Sequence, residues 1–284
     1  MTDFRFATLE NISNEVLLPV CNAAFADYIV PMQLDLTSLA NTQQRRGFDA
    51  SLSVGAFVGD ELVAFHLICK GDWQGKQWLY DTMTGTVPSA RGQGLAKRMF
   101  EWVMPRWREA GYTDCLLEVF CENHAARKSY EAMGFEVTRQ FECARLETLA
   151  PLPLPPGVVV EQLDSKALPP EFASWLDEAP GWQNSLDSVR RTPQQLRQVR
   201  LLVQGRPAAV GLVVPQNGDV PVFAVAPKMR RRGLGGALLA SLRGVSDKPL
   251  RFIMMTADSP SLHLIESVGG ERHDRLQEMA WHFG

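Results

Sequence analysis

The sequence predicts an α/β chain of two tandem domains, on three observations. Segments with strand-like and helix-like apolar spacing alternate along it. A proline-rich stretch, Leu149-Ala-Pro-Leu-Pro-Leu-Pro-Pro-Gly157, interrupts it near the middle. Landmarks before that stretch recur after it in nearly constant register: Pro88 and Pro227 are 139 residues apart, Gly134 and Gly269 are 135 apart. With 284 residues, 45% of them apolar, the chain is long enough for about two cores. The expected division is residues 1–146, a linker at 147–157, and residues 158–284.

Composition narrows the function. There are 29 Lys+Arg against 32 Asp+Glu, a formal net charge of -3, so no global field favours nucleic acid or an anionic membrane as partner. No apolar run approaches the roughly 20 residues of a spanning helix. The opening Met1-Thr-Asp-Phe-Arg-Phe6 has neither the basic region nor the apolar stretch of a signal peptide, and a cytoplasmic location is expected. The five cysteines (Cys21, Cys69, Cys115, Cys121, Cys143) form no CxxC pair and have no histidine at zinc-ligand spacing. Neither a disulfide framework nor a metal site is expected. Cys121 lies near the motifs below, either as an acyl-accepting nucleophile or, more simply, as a reduced buried thiol.

Taken in order, residues 4–7 read as a strand, 11–26 as a helix, and 36–46 as a second helix capped by Asp35 or Thr37. Residues 51–58 and 62–69 read as strands around Gly59-Asp60, and 78–86 as another strand. Leu95, Met99, Val103 and Trp107 then fall four apart on one helical face that Gly111 closes, with Pro105 expected to kink it. Residues 114–120 read as a strand, 123–133 as a helix capped by Asn123 and ended by Gly134, and 135–146 as closing strand. After the linker come a strand at 158–162, a hairpin at 201–214, a strand at 220–225 and a helix at 238–245.

The chemistry points to one loop. Thr86-Val-Pro-Ser-Ala-Arg-Gly-Gln-Gly-Leu-Ala96 lies between a strand and a helix, so its small residues leave backbone amides open at a helix N-terminus, which suits an anion. A dinucleotide fingerprint needs glycine where Lys97 stands, and a Walker loop needs Gly-Lys followed by Ser or Thr. Downstream runs Leu117-Glu-Val-Phe-Cys-Glu-Asn123-His-Ala-Ala-Arg-Lys-Ser-Tyr130-Glu-Ala-Met-Gly134-Phe135.

Together the two blocks resemble the GNAT superfamily of N-acetyltransferases. That family's pattern is a Val-x-Pro-x-x-Arg-x-x-Gly-x-Gly/Ala loop, then a strand, Asn, a helix bearing Tyr, and Gly-Phe. Thr86 takes the Val position; Pro88, Arg91, Gly94 and Ala96 match the loop, and Asn123, Ala126, Tyr130, Gly134 and Phe135 match the second block. The resemblance covers about residues 4–146. The loop pattern recurs in the second half as Val225-Ala-Pro-Lys-Met-Arg230-Arg231-Arg232-Gly233-Leu-Gly235-Gly236.

The resemblance implies a mixed, mostly antiparallel sheet flanked by helices in each half, and acetyl-CoA as co-substrate. Thr84, Gly85, Thr86 and Val87 would lie along the pantetheine arm, Arg91, Gly92, Gln93, Gly94, Leu95 and Ala96 around the pyrophosphate, with Asn123 and Tyr130 completing the site. It implies direct attack by a neutral amine on the thioester, an oxyanion held by a backbone amide, and Tyr130 as general acid to the thiolate. Tyr130 equally suits an interfacial core aromatic. Glu118, facing opposite to Leu117 and Val119, and Asp81 are candidate bases, and either suits an ion pair instead; His66 and His124 are weaker candidates. The segment 28–35 would cover the acceptor, with Tyr28, Asp35 and Trp73 as wall residues, although Asp35 also suits a helix cap. The acceptor would be a small-molecule or peptide amine. The alternative function is a non-catalytic acyl-CoA-binding sensor or assembly module.

The second half departs where the chemistry is done. Counting back from Gly269 puts Ile265 where Tyr130 would be and Asp258 where Asn123 would be, and Gly270 follows where the first half has Phe135. His263 points to another helix face. A degenerate domain is expected there, and whether it still holds CoA stays open, as does the oligomeric state.

Overall fold

A computed structural model of the chain describes residues 3–30, 32–164, 168–169 and 171–284. Two compact units result: Met1–Arg139 with Gln277–Gly284, and Gln140–Leu276. This differs from the expected division. The last eight residues complete the first unit, and the segment 147–157, expected as a spacer, belongs to the second.

In the first unit the chain runs β1 (Arg5–Thr8), α1 (Asn14–Ala24), α2 (Leu36–Arg46), β2 (Val54–Val58), β3 (Glu61–Trp73), β4 (Lys76–Thr86), α3 (Leu95–Glu109), β5 (Asp114–Phe120), α4 (His124–Ala132) and the start of β6 (Glu136–Leu146). Its strands lie in the order β1-β2-β3-β4-β5-β12-β6, where β12 (Glu271–His282) contributes its last residues. β1, β2, β3 and β4 pair antiparallel, and β4 pairs parallel with β5. The apolar stripe read from the sequence, extended by Phe100, packs α3 on the sheet through Leu95, Met99, Val103 and Trp107. α3 continues through Pro105, which a helix tolerates at the loss of one backbone bond.

The C-terminal residues were not foreseen as part of this core. Met279 is fully buried in the cluster with Trp107, Phe100 and Phe135. The Trp281 ring lies against Phe100, Phe135 and Phe283. Phe283 donates its N–H to Thr113 O (2.9 Å) and its carbonyl accepts from Arg108 Nη2 (2.8 Å). Gly134, at φ 97°, is held to glycine twice over, because a Cβ would also stand 2.8 Å from Trp281 Nε1.

The second unit has an antiparallel sheet in the order β10-β9-β8-β7, made of β7 (Val158–Leu163), β8 (Arg197–Val203), β9 (Arg206–Val213) and β10 (Val222–Val225). The remainder of β6 pairs antiparallel with β11 (Leu250–Met255). Its helices are α5 (Leu186–Arg191), α6 (Leu234–Arg243) and α7 (Pro260–Ser267). The mixed, mostly antiparallel sheets flanked by helices match the expected fold class, and among the described residues no helix is long and apolar enough to cross a membrane.

If residues 277–284 are integral to the first unit, Phe283→Ala should cost about 3–5 kcal/mol in denaturant unfolding, as for a large buried aromatic. A loss of a few tenths would show that the tail only lies on the surface.

Candidate active site

β4 and β5 begin side by side and then part. They pair at Leu79↔Cys115, Tyr80↔Leu116 and Asp81↔Leu117, and no further. The cause lies on the other edge of β4, where the register with β3 slips between Leu67↔Met83 and Ile68↔Asp81, so that β4 carries one extra residue. Such a bulge bends a strand away from its neighbour. Beyond Asp81 the two strands frame a V. Val87 donates its N–H to Val63 O (2.9 Å) on β3, so by strand alternation the N–H groups of Thr84 and Thr86 point into the V. Gly85 is required beneath it, since a Cβ would come within 2.5 Å of Phe65 Cζ and 2.9 Å of Ala24 Cβ.

A polar cluster is buried at the apex. Asp81 and His66 are buried, and Thr84 Oγ1 donates to Asp81 Oδ2 (2.5 Å). His66 places Nδ1 2.5 Å from Thr84 Oγ1 and Nε2 2.9 Å from Ala96 O in the first turn of α3. Tyr130 Oη donates to the same Asp81 oxygen at 3.5 Å. Tyr130 is half-buried as a residue; burial of its hydroxyl, reinforced by the charge of Asp81 and opposed by a hydrogen bond with Thr84, pushes the phenol well above its ordinary value. Tyr130 also rests edge-on against Phe135, 5.6 Å between ring centres. Tyr28 is half-buried, its phenol pushed up by burial and opposed by a hydrogen bond with Asn123. Asn123 also caps α4 by accepting from Ala126 N (3.1 Å).

The opposite face of the sheet carries the second candidate carboxylate. Buried Tyr80 donates its hydroxyl to half-buried Glu118, and burial followed by the charge of Glu118 raises the Tyr80 phenol well above its usual range. Arg46 Nη1 donates to the neighbouring Thr82 Oγ1 (2.6 Å). The strand parity that separates Glu118 from Leu117 and Val119 is thus realised, and the two carboxylates face different sides.

Three expected residues do not join this cluster. Trp73 is buried at the β3–β4 turn, opposite Lys76 and beneath the Arg139 guanidinium, five residues along β4 from Asp81. At about 3.3 Å per residue that is on the order of 16 Å, too far for an acceptor wall. Asp35 caps α2, accepting from Ser38 N (2.6 Å), which is the helix-cap alternative. His124 is the exposed first residue of α4. Pro31, in the segment expected to cover the acceptor, lies outside the described residues. Cys121 is half-buried, and its backbone carbonyl accepts from Arg127.

The loop after β4 is held by its arginine. Arg91 Nε donates to Thr86 O (3.2 Å), Nη2 to Ala24 O (3.0 Å), and the guanidinium pairs with Asp27 at 2.6 Å. The charge expected at the pyrophosphate is therefore engaged as a staple between loop and α1. Gly92 and Gly94 take positive φ (76° and 65°), and a Cβ on either would meet nothing within 4 Å, so the backbone there stands open. Arg98 is the first residue whose N–H returns to the loop, at Gly94 O (3.1 Å). The amides of Leu95, Ala96 and Lys97 in the first turn of α3 have no intrahelical acceptor.

The second unit repeats this construction. Arg230 Nε donates to Val225 O (3.2 Å), Nη2 to Trp175 O (2.9 Å), and the guanidinium pairs with Asp177 at 2.8 Å. Arg231, at φ 61°, occupies the left-handed position of Gly92, and Gly233, at φ 79°, that of Gly94. A parallel bridge Asp219↔Arg251 stands where Tyr80↔Leu116 does. The residue equation foreseen at the helix also holds: Phe135 N–H bonds Tyr130 O, and Gly270 N–H bonds Ile265 O. Ile265 is fully buried, and a Cβ on Gly270 would strike its Cγ2 at 2.3 Å, which explains glycine in place of Phe135.

Two further changes mark this copy. Glu178 accepts from both the N–H and the hydroxyl of Thr256, just past β11. The 147–157 segment lies on the loop itself, with Pro155 Cγ 3.3 Å from where a Cβ on Gly233 would be and Leu152 Cδ1 3.2 Å from that of Gly236. A cavity of about 370 Å³ remains beside the loop, lined by Phe223, Met229, Arg230, Arg231, Gly235 and Leu264. Arg232 is exposed.

The acetyltransferase (GNAT) family model matches residues 21–135, the segment that holds the V, the loop and α4. Residues 21–135 are a GNAT-family domain. Whole-chain similarity agrees on the fold. A tandem GNAT protein from the clavulanic acid biosynthesis pathway superposes with TM-score 0.72 at 14% identity, covering 99% of each chain. A GCN5-related N-acetyltransferase from Sphaerobacter thermophilus gives 0.71 at 14%, covering 98% of this chain and 95% of that one. A putative acetyltransferase from Pyrococcus horikoshii gives 0.66 at 15%, covering 99% and 89%. No curated protein sequence matches the chain.

In the GNAT domain, sequence reasoning named Thr84 only for its backbone and placed His66 low among the candidates. The signal for both was a histidine in the apolar run Val63-Ala-Phe-His-Leu-Ile68, a burial that demands partners. If Arg91 acts as a staple for a working loop, Arg91→Met should weaken acetyl-CoA binding on the order of ten-fold, while Arg230→Met leaves it unchanged. Titration calorimetry with both variants checks this, and the reverse order would place the working loop in the second unit.

Proposed function

We propose that the first unit is an acetyl-CoA-dependent N-acetyltransferase acting on a primary amine of a small molecule or peptide, in the cytoplasm. The observation that carries this reading is the buried Tyr130 hydroxyl beside Asp81 at the apex of a V whose rim is an uncovered glycine loop. The V and the loop suit a long thioester arm joined to a diphosphate. The amides of Gly92 to Ala96 would take the diphosphate, aided by about half a positive charge at the N-terminus of α3. Thr84 to Val87 would pair with the pantetheine arm.

When bound, acetyl-CoA supplies the electrophilic carbon and the thiolate leaving group. Glu118, half-exposed on the face opposite the Leu117 side chain, takes the proton that the amine must lose. The Thr84 and Thr86 amides, fixed by the β3 pairing, offer the N–H for the developing oxyanion. Tyr130 gives its proton to sulfur; the raised phenol keeps that proton in place until then. Asn123 orients Tyr28 at the mouth. In the second unit Ile265 has no proton to give, and we assign that unit a structural role.

Tyr130→Phe keeps the packing and removes the donor. It should lower kcat roughly a hundred- to ten-thousand-fold and leave acetyl-CoA affinity nearly unchanged, measured with an acceptor found by screening amines for thiol release. Undiminished turnover would make Tyr130 a core aromatic.

A further inference from the structure

His66, Thr84 and Asp81 form a chain whose protons can be counted. A threonine hydroxyl has one hydrogen, and Thr84 donates it to Asp81 Oδ2 (2.5 Å). His66 Nδ1, 2.5 Å from the same Thr84 oxygen, is the donor in that contact when Asp81 is a carboxylate. His66 Nε2 faces the Ala96 carbonyl at 2.9 Å, and a carbonyl only accepts. With Asp81 as carboxylate both ring nitrogens carry hydrogen, and a buried imidazolium faces it, Nδ1 to Oδ2 at 3.7 Å.

We infer that His66, Thr84 and Asp81 are a one-proton store for Tyr130, with Thr84 as the conducting hydroxyl and His66 as the positioning residue that keeps the store loaded. Moving one proton from His66 Nδ1 to Thr84, and the Thr84 proton on to Asp81, leaves neutral imidazole and neutral carboxylic acid without moving a heavy atom. The proton then sits on Asp81 Oδ2, the oxygen that Tyr130 Oη addresses at 3.5 Å. Asp81 Oδ1 is buried without a partner among the described residues, and Tyr130 also hydrogen-bonds with Thr84, so the store meets the phenol at Oδ2 and at the Thr84 hydroxyl. Of the other titratable groups at Asp81, the Cys115 thiol is pushed well above its usual range by burial and stays protonated. Phe100 covers the imidazole, 4.3 Å between ring centres.

The inference rests on the proposed role of Tyr130 and completes its proton balance. The amine nitrogen forms its bond to the acyl carbon and loses one proton to Glu118, while the carbon–sulfur bond breaks. Tyr130 gives one proton to sulfur and takes one from Asp81 Oδ2, so no phenolate is left beside a carboxylate. That proton reaches Asp81 from His66 through Thr84, and after product leaves it is replaced from water by the reverse route, through Tyr130 and Asp81. One proton leaves nitrogen, and one arrives on sulfur.

The test is nitrogen-15 NMR of histidine-labelled protein, which reports the protons on each ring nitrogen whether or not an acceptor is known. The wild type should show His66 doubly protonated. Thr84→Val, close in shape but without the hydroxyl, should convert it to the neutral Nε2–H form, and Thr84→Ser should restore the wild-type signal. With an acceptor in hand, Thr84→Val should also lower kcat roughly ten- to a hundred-fold more than Thr84→Ser. A neutral His66 in the wild type, or a doubly protonated one that survives in Thr84→Val, overturns the store. Loss of turnover in Tyr130→Phe alongside that result would spare the reading of Tyr130. An intact store with an undiminished Tyr130→Phe enzyme would sink the reading of Tyr130 and leave the store without its client.

Discussion

The parting of β4 from β5 after Asp81↔Leu117 is the constraint on which the first unit depends. Two strands that stayed paired would close the sheet and leave no uncovered backbone. One extra residue in β4 bends it away, and everything that matters is arranged around the opening. Asp81 sits at the last paired position, Thr84 returns to it across the bulge, and Tyr130 reaches it from α4. The cost of a broken ladder is offset on the outer side, where β3 pairs with β4 from Trp73↔Lys76 to Ala64↔Thr86.

The two units show what duplication preserves and what it lets go. Backbone devices persist: the arginine staple, the left-handed residue two before the helix cap, and the helix-closing bond from the residue after a positive-φ glycine. Each is a local solution to turning a strand into a helix, and each is lost only at a cost in folding. The side chains proposed to react do not persist. Where the first unit has Tyr130 and Phe135, the second has Ile265 and Gly270, and the glycine follows from the isoleucine by contact. Residues 147–157 then lie over glycines whose openness the first unit keeps.

Much of this was legible in the residues. The α3 stripe, the span of β5 and the Asn123 cap followed from periodicity and turn chemistry, because those signals are local, and the correspondence of Ile265 with Tyr130 followed from repeating the spacing to Gly134 at Gly269. The exchange of strands was not legible. Residues 271–282 were given no element from the sequence, and nothing in their alternation says that Gln277 onward completes the first unit rather than the second. Arg91 was misread for a related reason: its partner Asp27 is 64 residues away, and a lone arginine beside glycines suggests an anion until the carboxylate is seen. Trp73, expected as an acceptor wall from the family resemblance, lies on a strand that runs on past the site to a hairpin turn.

The central claim is that the ligand-binding V is the one in the first unit. Hydrogen exchange with and without acetyl-CoA tests it on the intact chain. Slower exchange should concentrate in the amides of residues 84–97, with residues 225–237 little changed. Protection confined to residues 225–237 would contradict the account.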